Sequence, residues 1–284
     1  MIYGILLFYF VFMIGISIAI SKKIKNKTDF FVAGRNLPLW LCTATLTATW
    51  FGGGTVLGAA GAAYNRGVIG VIADPLGAAL CLLLAGLFYV RTIRKMKILT
   101  IVDFFEIRFG STPAQFAAVA QLILFIGWTG SLLISMGIII ENVAEIPQHY
   151  SMILGTIIVL IYTVLGGMWA VSITDFFQIL IVMVGLVLIV PALSQQVGGI
   201  GTVWDSIPKD KLTLFPQSGS PRVWLEYIQA WFVIGLGGIA GQDLLQRSMS
   251  AKNEAIAVNA AYISAGLYLT IGFIPVVIGI VGAE

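Results

Sequence analysis

Charge is scarce in this chain, and so are the residues that build most catalytic and metal centres. Only 10% of its 284 residues are charged, and it has two cysteines and one histidine. Cys42 and Cys81 lie in apolar segments, which argues against a disulfide framework, and the single His149 leaves no Cys/His metal cluster. The sequence contains no Ser/His/Asp set and no phosphate loop, so we predict no enzymatic activity.

Apolar residues take the place of the missing charge. They form 59% of the chain and give a mean hydropathy of +0.99, a balance typical of helical proteins that cross a membrane several times. We predict an all-α integral membrane protein, a single transmembrane domain over 1–284, with about eight spans. The apolar segments are 2–20, 41–63, 69–90, 114–140, 151–167, 173–194, 223–241 and 256–282.

The basic residues predict a topology. With the N-terminus outside, all but four of the sixteen Lys and Arg residues fall in cytoplasmic connections, as the positive-inside rule requires. The four on the external side are Arg66, Lys209, Lys211 and Arg222. We therefore predict a multi-pass protein of the plasma membrane with an external N-terminus. The net charge of +3 reflects this topology and does not indicate a nucleic-acid partner.

The second span contains a weak point for a membrane helix, the run Gly52-Gly53-Gly54. Each glycine costs about 1 kcal/mol relative to alanine in a helix, and every freed backbone group in lipid needs a partner. The run therefore predicts a broken helix with free carbonyls that suit a sodium ion or a solute, those of Ala48, Thr49 and Phe51. Hydroxyl oxygens nearby are those of Thr45, Thr47, Thr49 and Thr55. Close packing of small residues is the alternative.

Four side chains in or beside the apolar segments are further candidates. Trp50 either faces a solute, especially a cationic one, or packs against a neighbouring helix. Asp74 is predicted to lie at membrane depth within a helix that starts near Gly67, where an acid is a functional candidate, with helix capping as the alternative. Trp128 either belongs to the core or forms an aromatic wall. For Asp175, which opens the sixth span, spacing alone favours helix capping.

A second glycine-weakened segment occurs in the seventh span, at Gly235, Gly237, Gly238 and Gly241. Two weakened spans in matching positions are the pattern of an inverted-repeat transporter. Because they are the second and the seventh, the spacing predicts a leading helix at 2–20 and a first five-helix repeat over 41–194. Residues 223–282 would then form the first two helices of a second repeat.

Several motifs together resemble the sodium:solute symporter family over essentially the whole chain. They are Asp29-Phe30-Phe31-Val32-Ala33-Gly34-Arg35, Gly166-Gly167-Met168-Trp169-Ala170-Val171 with Thr174-Asp175 and Gln178, and Gln246-Arg247 with Ala251-Lys252. The stretch Ala48-Thr49-Trp50-Phe51-Gly52-Gly53-Gly54 is most similar to the branch that contains high-affinity choline transporters. The resemblance implies a leucine-transporter-type core of inverted repeats with one extra leading helix, and sodium-coupled symport without a cofactor.

The resemblance also implies roles for particular positions. Backbone carbonyls that match Ala48 and Phe51 ligate sodium, and the acid that matches Asp175 is associated with sodium coupling and release. In sugar-transporting relatives an acid that binds substrate matches Asp74. In choline-type relatives two positions of an aromatic cage match Trp50 and Trp128.

We therefore expect a sodium ion, a small organic solute and the lipid bilayer as partners, and no metal beyond sodium. The predicted substrate-binding residues are Trp50, Gly53, Thr55, Asp74, Trp128, Gly237, Gly238 and Gly241. Two further cage positions fall on Ala78 and Gly241, which are not aromatic. The expected solute is therefore a smaller cation or a zwitterion rather than choline itself.

Family members usually have more spans than this chain, and the helix whose Ser and Thr hydroxyls complete the sodium site follows the eighth span. We expect the chain to be the N-terminal portion of a sodium-coupled transporter, a truncated product or fragment. The alternative is a transporter-derived sensor module or an inactive remnant that does not transport. An adjoining reading frame that encodes the remaining spans would favour the transporter.

Overall fold

The structure is a computed structural model that describes residues 2–196, 198, 207–217 and 219–283. The α-helices in this part of the chain are α1 Ile2–Ser21, α2 Lys27–Val32, α3 Leu39–Trp50, α4 Ala59–Arg66, α5 Ala78–Leu84, α6 Val90–Met96, α7 Ile101–Phe109, α8 Ser111–Ala144, α9 Gln148–Gln196, α10 Pro221–Gly235, α11 Gln242–Ser250, α12 Glu254–Thr270 and α13 Phe273–Val281. Within these ranges the extended pairing is limited to one isolated bridge, between Leu37 and Ala251. The predicted all-α fold is confirmed.

Six helical stretches in the described ranges are long and apolar enough to cross a membrane. Two of them, Gly54–Met96 and Gln148–Leu193, contain 43 and 46 residues, about twice the ~20 that one passage requires. Each is interrupted by a glycine with positive φ, +66° at Gly67 and +49° at Gly167, a conformation that breaks a right-handed helix and favours glycine. The predicted segments 151–167 and 173–194 therefore lie in one stretch, interrupted at Gly167. Segment 69–90 lies within Gly54–Met96, whereas segment 41–63 is divided between α3 and the start of that stretch.

The chain divides into two compact units. The first unit comprises Met1–Thr45, Val90–Phe176 and Ala240–Ala260. The second unit comprises Leu46–Tyr89, Phe177–Ile239 and Ala261–Glu284.

In the second unit, α4 packs against α13 through small and branched side chains. At Gly279 a Cβ atom would lie only 2.1 Å from the carbonyl oxygen of Ala60, so the two helices approach as closely as small residues in membrane helices permit. The buried residues of this cluster are Ala59, Ala63, Val71, Ile207, Val276 and Ile280.

In the first unit, polar side chains donate hydrogen bonds to backbone carbonyls of the family-like motifs. Arg94, at the end of α6, is buried and donates to the carbonyls of Ala251 at 2.7 Å and Lys252 at 3.2 Å. The Gln246 amide donates to the Phe31 carbonyl at 2.7 Å. These side chains therefore satisfy carbonyls in the last turn of α2 and between α11 and α12, where no following helical turn supplies a donor.

The short helix α7 begins with a capping box formed by Thr100 and Asp103. Asp103 Oδ2 accepts hydrogen bonds from the backbone N–H of Leu99 at 2.8 Å and of Thr100 at 3.0 Å. Burial alone would raise the pKa of Asp103, but these bonds and one from the Thr100 hydroxyl outweigh it and hold the pKa below its usual value.

We expect Thr100→Ala to destabilise the first turn of α7 by about 1 kcal/mol, the usual cost of losing an N-cap hydroxyl. The folded pKa of Asp103 is depressed, so its stabilising contribution is complete above the unfolded pKa of about 3.9 and is lost as the pH falls through the folded value. Amide hydrogen exchange over 101–104 should therefore be faster in Thr100→Ala than in the unchanged protein at neutral pH. In the unchanged protein the same amides should lose protection only in acid. Ser135→Ala, which removes a hydroxyl bonded within α8, is the control, and equal acceleration in both variants would contradict the prediction.

Candidate functional site

The helix break predicted at the glycine run is present, and it begins just before the run. α3 ends at Trp50, residues 51 and 52 form a bend, and a π-helical turn follows over Gly54–Gly58. The Gly52 N–H donates to the Trp50 carbonyl at 2.9 Å, whereas a continuing α-helix would direct it to Ala48. The Ala48 carbonyl therefore loses its helical donor at the position where the sequence predicts a sodium ligand.

The seventh span is interrupted as well, and its interruption meets Trp50. α10 ends at Gly235, a 3₁₀ turn covers Gly237–Ala240, and α11 begins at Gln242. A Cβ atom on Gly238 would lie 2.6 Å from Trp50 Cη2 and 3.1 Å from Cys81 Sγ. Gly238 therefore gives the indole ring the room that any larger residue would take, and two positions predicted separately from the sequence are in contact.

Asp74 and Thr55 form a buried pair beside the break. Thr55 is fully buried, and its hydroxyl donates to Asp74 Oδ2 at 2.7 Å and lies 3.2 Å from the Trp50 carbonyl oxygen. The other carboxylate oxygen of Asp74, Oδ1, is buried and accepts no hydrogen bond from any described residue. Leaving such an acceptor unsatisfied costs about 1–3 kcal/mol, more when it is charged, so Oδ1 is suited to a donor or a positive charge on a ligand.

The backbone at Asp74 differs from the prediction. A 3₁₀ turn does start at Gly67, but Asp74 is extended, with φ −147° and ψ 122°, and interrupts the third span. The cause is Pro75, because the residue before a proline is sterically disfavoured in the helical region. At this interruption the Asp74 carboxylate meets Thr55, which lies about one helical turn after the bend at residues 51 and 52.

Sequence reasoning missed two residues that hold the break in place, Ser264 and Tyr268 on α12. The Thr47 hydroxyl donates to Ser264 Oγ at 2.9 Å, and both side chains are buried. The Tyr268 ring packs edge-on against Phe51, with centroids 5.5 Å apart. Two hydroxyl side chains four residues apart in an apolar helix share one face, and that spacing was the available signal.

Three predicted site residues belong to the first unit. Asp175 accepts a hydrogen bond from the Thr45 hydroxyl and is attracted by Arg247. Trp128 lies on α8 with 40% of its surface exposed, and Gly241 directly precedes α11. Their roles in sodium coupling and solute binding stay predictions.

Comparisons with known proteins agree with the resemblance. The sequence profile of the sodium:solute symporter family matches residues 30–284. The chain is 29% identical to the high affinity choline transporter 1 of Homo sapiens, over 99% of this chain and 50% of the relative. It is 25% identical to a sodium/glucose cotransporter of Vibrio parahaemolyticus, over 96% of this chain and 53% of the relative. The chain thus spans about half the length of the curated relatives it matches.

Among solved structures, the chain is similar to a Na⁺-coupled sialic acid symporter in a substrate-bound, outward-open state. The TM-score is 0.85 and the sequence identity 24%, over 99% of this chain and 59% of that one. At this identity the likeness shows the fold, and it confirms the leucine-transporter-type architecture that the resemblance implied. With six apolar helical stretches and a family profile that matches nearly all of it, this multi-pass membrane protein belongs to the sodium:solute symporter family.

Proposed function

We propose that this chain supplies sodium- and solute-binding elements of a symporter in the plasma membrane, with its N-terminus outside. In this proposal the sodium gradient drives import of a small organic solute, either cationic or zwitterionic. The observation that carries it is the meeting of two interrupted spans at Trp50 and Gly238, directly beside the buried pair of Thr55 and Asp74. Interrupted membrane helices of this kind bind ions and solutes in secondary transporters.

Sodium is assigned to the carbonyl oxygens of Ala48 and Phe51. The bend diverts the Gly52 amide from the Ala48 carbonyl, and carbonyl oxygens are the ligands that hard cations prefer. The contacts that Thr47 and Phe51 make with α12 support the bend. Asp175 is assigned a role in sodium coupling and release.

The solute is assigned to the face of Trp50 and to Asp74, with Gly53, Thr55, Gly237 and Gly238 leaving space around it. An indole ring attracts a cation most strongly when both are removed from water. The buried Oδ1 of Asp74 offers a negative partner for the same positive group. Charge and aromatic surface together favour an ammonium-bearing solute.

Thermal stabilisation of the purified protein tests this proposal, because a ligand that binds the folded state raises its Tm. We expect a panel of small ammonium compounds to include one whose effect requires sodium and disappears when potassium replaces it. Trp50→Ala should remove the solute-dependent rise and keep the sodium-dependent one, since carbonyl ligands do not need the indole. Trp40→Ala is the control, because Trp40 is 54% exposed in the first unit. A solute-dependent rise that survives Trp50→Ala would overturn the solute assignment.

A further inference from the structure

The second unit contains a cavity of about 230 Å³ whose residues differ from those around Trp50. Arg66 at the end of α4, Ala73, Pro216, and one face of α10 with Glu226 and Tyr227 contribute to its lining. Drug-sized ligands occupy pockets of about 300–1,000 Å³, so this cavity suits a smaller solute. Its residues belong to the side of the molecule for which the basic residues predict an external location.

Two charged side chains, Arg66 and Glu226, line the cavity in the part of the chain that the structure describes. The Arg66 guanidinium is exposed and makes no ion pair with any described residue. Glu226 Oε1 accepts from Arg222 Nε at 3.1 Å on the same exposed face of α10. Among the described lining residues Arg66 is the one cation. Its planar guanidinium matches the two oxygens of a carboxylate.

Another part of the lining suits a positive group. Glu226 keeps a second carboxylate oxygen, and Tyr227 follows it directly and also lines the cavity. The Tyr227 ring is held edge-on by Trp224 and Trp231, with centroids 5.8 and 6.5 Å away. A fixed aromatic ring beside a carboxylate attracts an ammonium group.

We propose that this cavity is an outer binding site for a small zwitterion, whose carboxylate binds Arg66 and whose ammonium group lies against Glu226 and Tyr227. The inference deepens the proposed function, since it assigns the solute a carboxylate. The cavity wall continues in sequence from Ala73 to Asp74, so the outer site borders the segment that carries the proposed inner ligand. Because Arg66 and Glu226 are exposed, binding here is weak and depends on salt.

The test uses two probes that share a trimethylammonium group, glycine betaine, which has a carboxylate, and choline, which has a hydroxyl instead. Binding is measured by equilibrium dialysis on the purified chain carrying Trp50→Ala, in potassium buffer at constant ionic strength. The measurement is repeated with Asp74→Asn added to Trp50→Ala, which removes both groups that the inner site offers to an ammonium group. Failure of sodium-coupled transport and failure of the outer site are therefore distinguishable.

We expect glycine betaine to bind at least fivefold more tightly than choline. Arg66→Gln should remove this preference by weakening glycine betaine binding about fivefold or more, Arg66→Lys should restore part of it, and Glu226→Gln should weaken both probes. Arg91→Gln, which removes an exposed positive charge elsewhere, should change neither. Equal affinity for the two probes overturns the proposal, and so does an Arg66→Gln effect no larger than that of Arg91→Gln. If Arg66→Gln does not fold, the proposal is overturned when Arg66→Lys and Glu226→Gln both leave the affinities unchanged.

Discussion

Asp74→Asn should weaken binding of an ammonium solute by about 10- to 100-fold while the protein keeps its fold. Hydrogen bonds to charged groups contribute about 1.5–3 kcal/mol, and each 1.4 kcal/mol is a factor of ten in affinity. Asparagine retains an oxygen that can accept from Thr55, so the buried pair survives. What disappears is the capacity of the buried Oδ1 position to hold negative charge beside Trp50. The measurement is the solute concentration that gives half of the sodium-dependent rise in Tm.

Thr55→Val is the matched variant, because it removes the hydroxyl bond to Asp74 and leaves the carboxylate in place. Losing a donor to a buried acceptor costs about 1–3 kcal/mol, so Thr55→Val should lower the Tm of the ligand-free protein more than Asp74→Asn does. Its effect on solute affinity should be the smaller of the two. If Asp74→Asn lowers Tm without changing affinity, the pair is structural and Asp74 does not bind the solute.

Local chemistry made the breaks in the helices predictable. Three consecutive glycines destabilise a membrane helix wherever the segment lies. In the structure the helix is interrupted at Phe51 and Gly52. The glycines of the seventh span predict the end of α10 in the same way. The exact bend was not predictable, because the Gly52 amide could bond to the carbonyl of Trp50 or of Ala48. The bend also contacts α12 through Phe51 and Tyr268, residues that are far apart in the sequence.

Long-range partners were beyond what the sequence pattern specifies. Thr47 and Ser264 are 217 positions apart and meet through a hydrogen bond. The spacing of Ser264 and Tyr268 indicates a shared face of α12, but it does not identify Thr47 as the partner. The extended backbone at Asp74 was within reach, because the effect of a following proline is local. The length of the span instead favoured a helix that continues through Asp74, because a helix that starts at Pro75 would be shorter than the hydrocarbon core. The structure satisfies both constraints by interrupting the span rather than ending it.

Gly238→Ala should raise the half-saturating solute concentration about tenfold or more, although it adds a single methyl group. The new Cβ would lie 2.6 Å from Trp50 Cη2 and 3.1 Å from Cys81 Sγ, and overpacking of this kind costs about 1–3 kcal/mol. Trp50 is 92% buried, so its ring can move only by giving up the position proposed to face the solute. Sodium-dependent stabilisation should change less, because the carbonyls of Ala48 and Phe51 are backbone groups. Gly266→Ala, on a helix position with open space around it, is the control and should leave both responses unchanged. The double variant Cys81→Ala/Gly238→Ala identifies the atom that matters: solute affinity restored by the smaller residue 81 would show that the methyl group acts through the sulfur, and would contradict displacement of Trp50 as the cause.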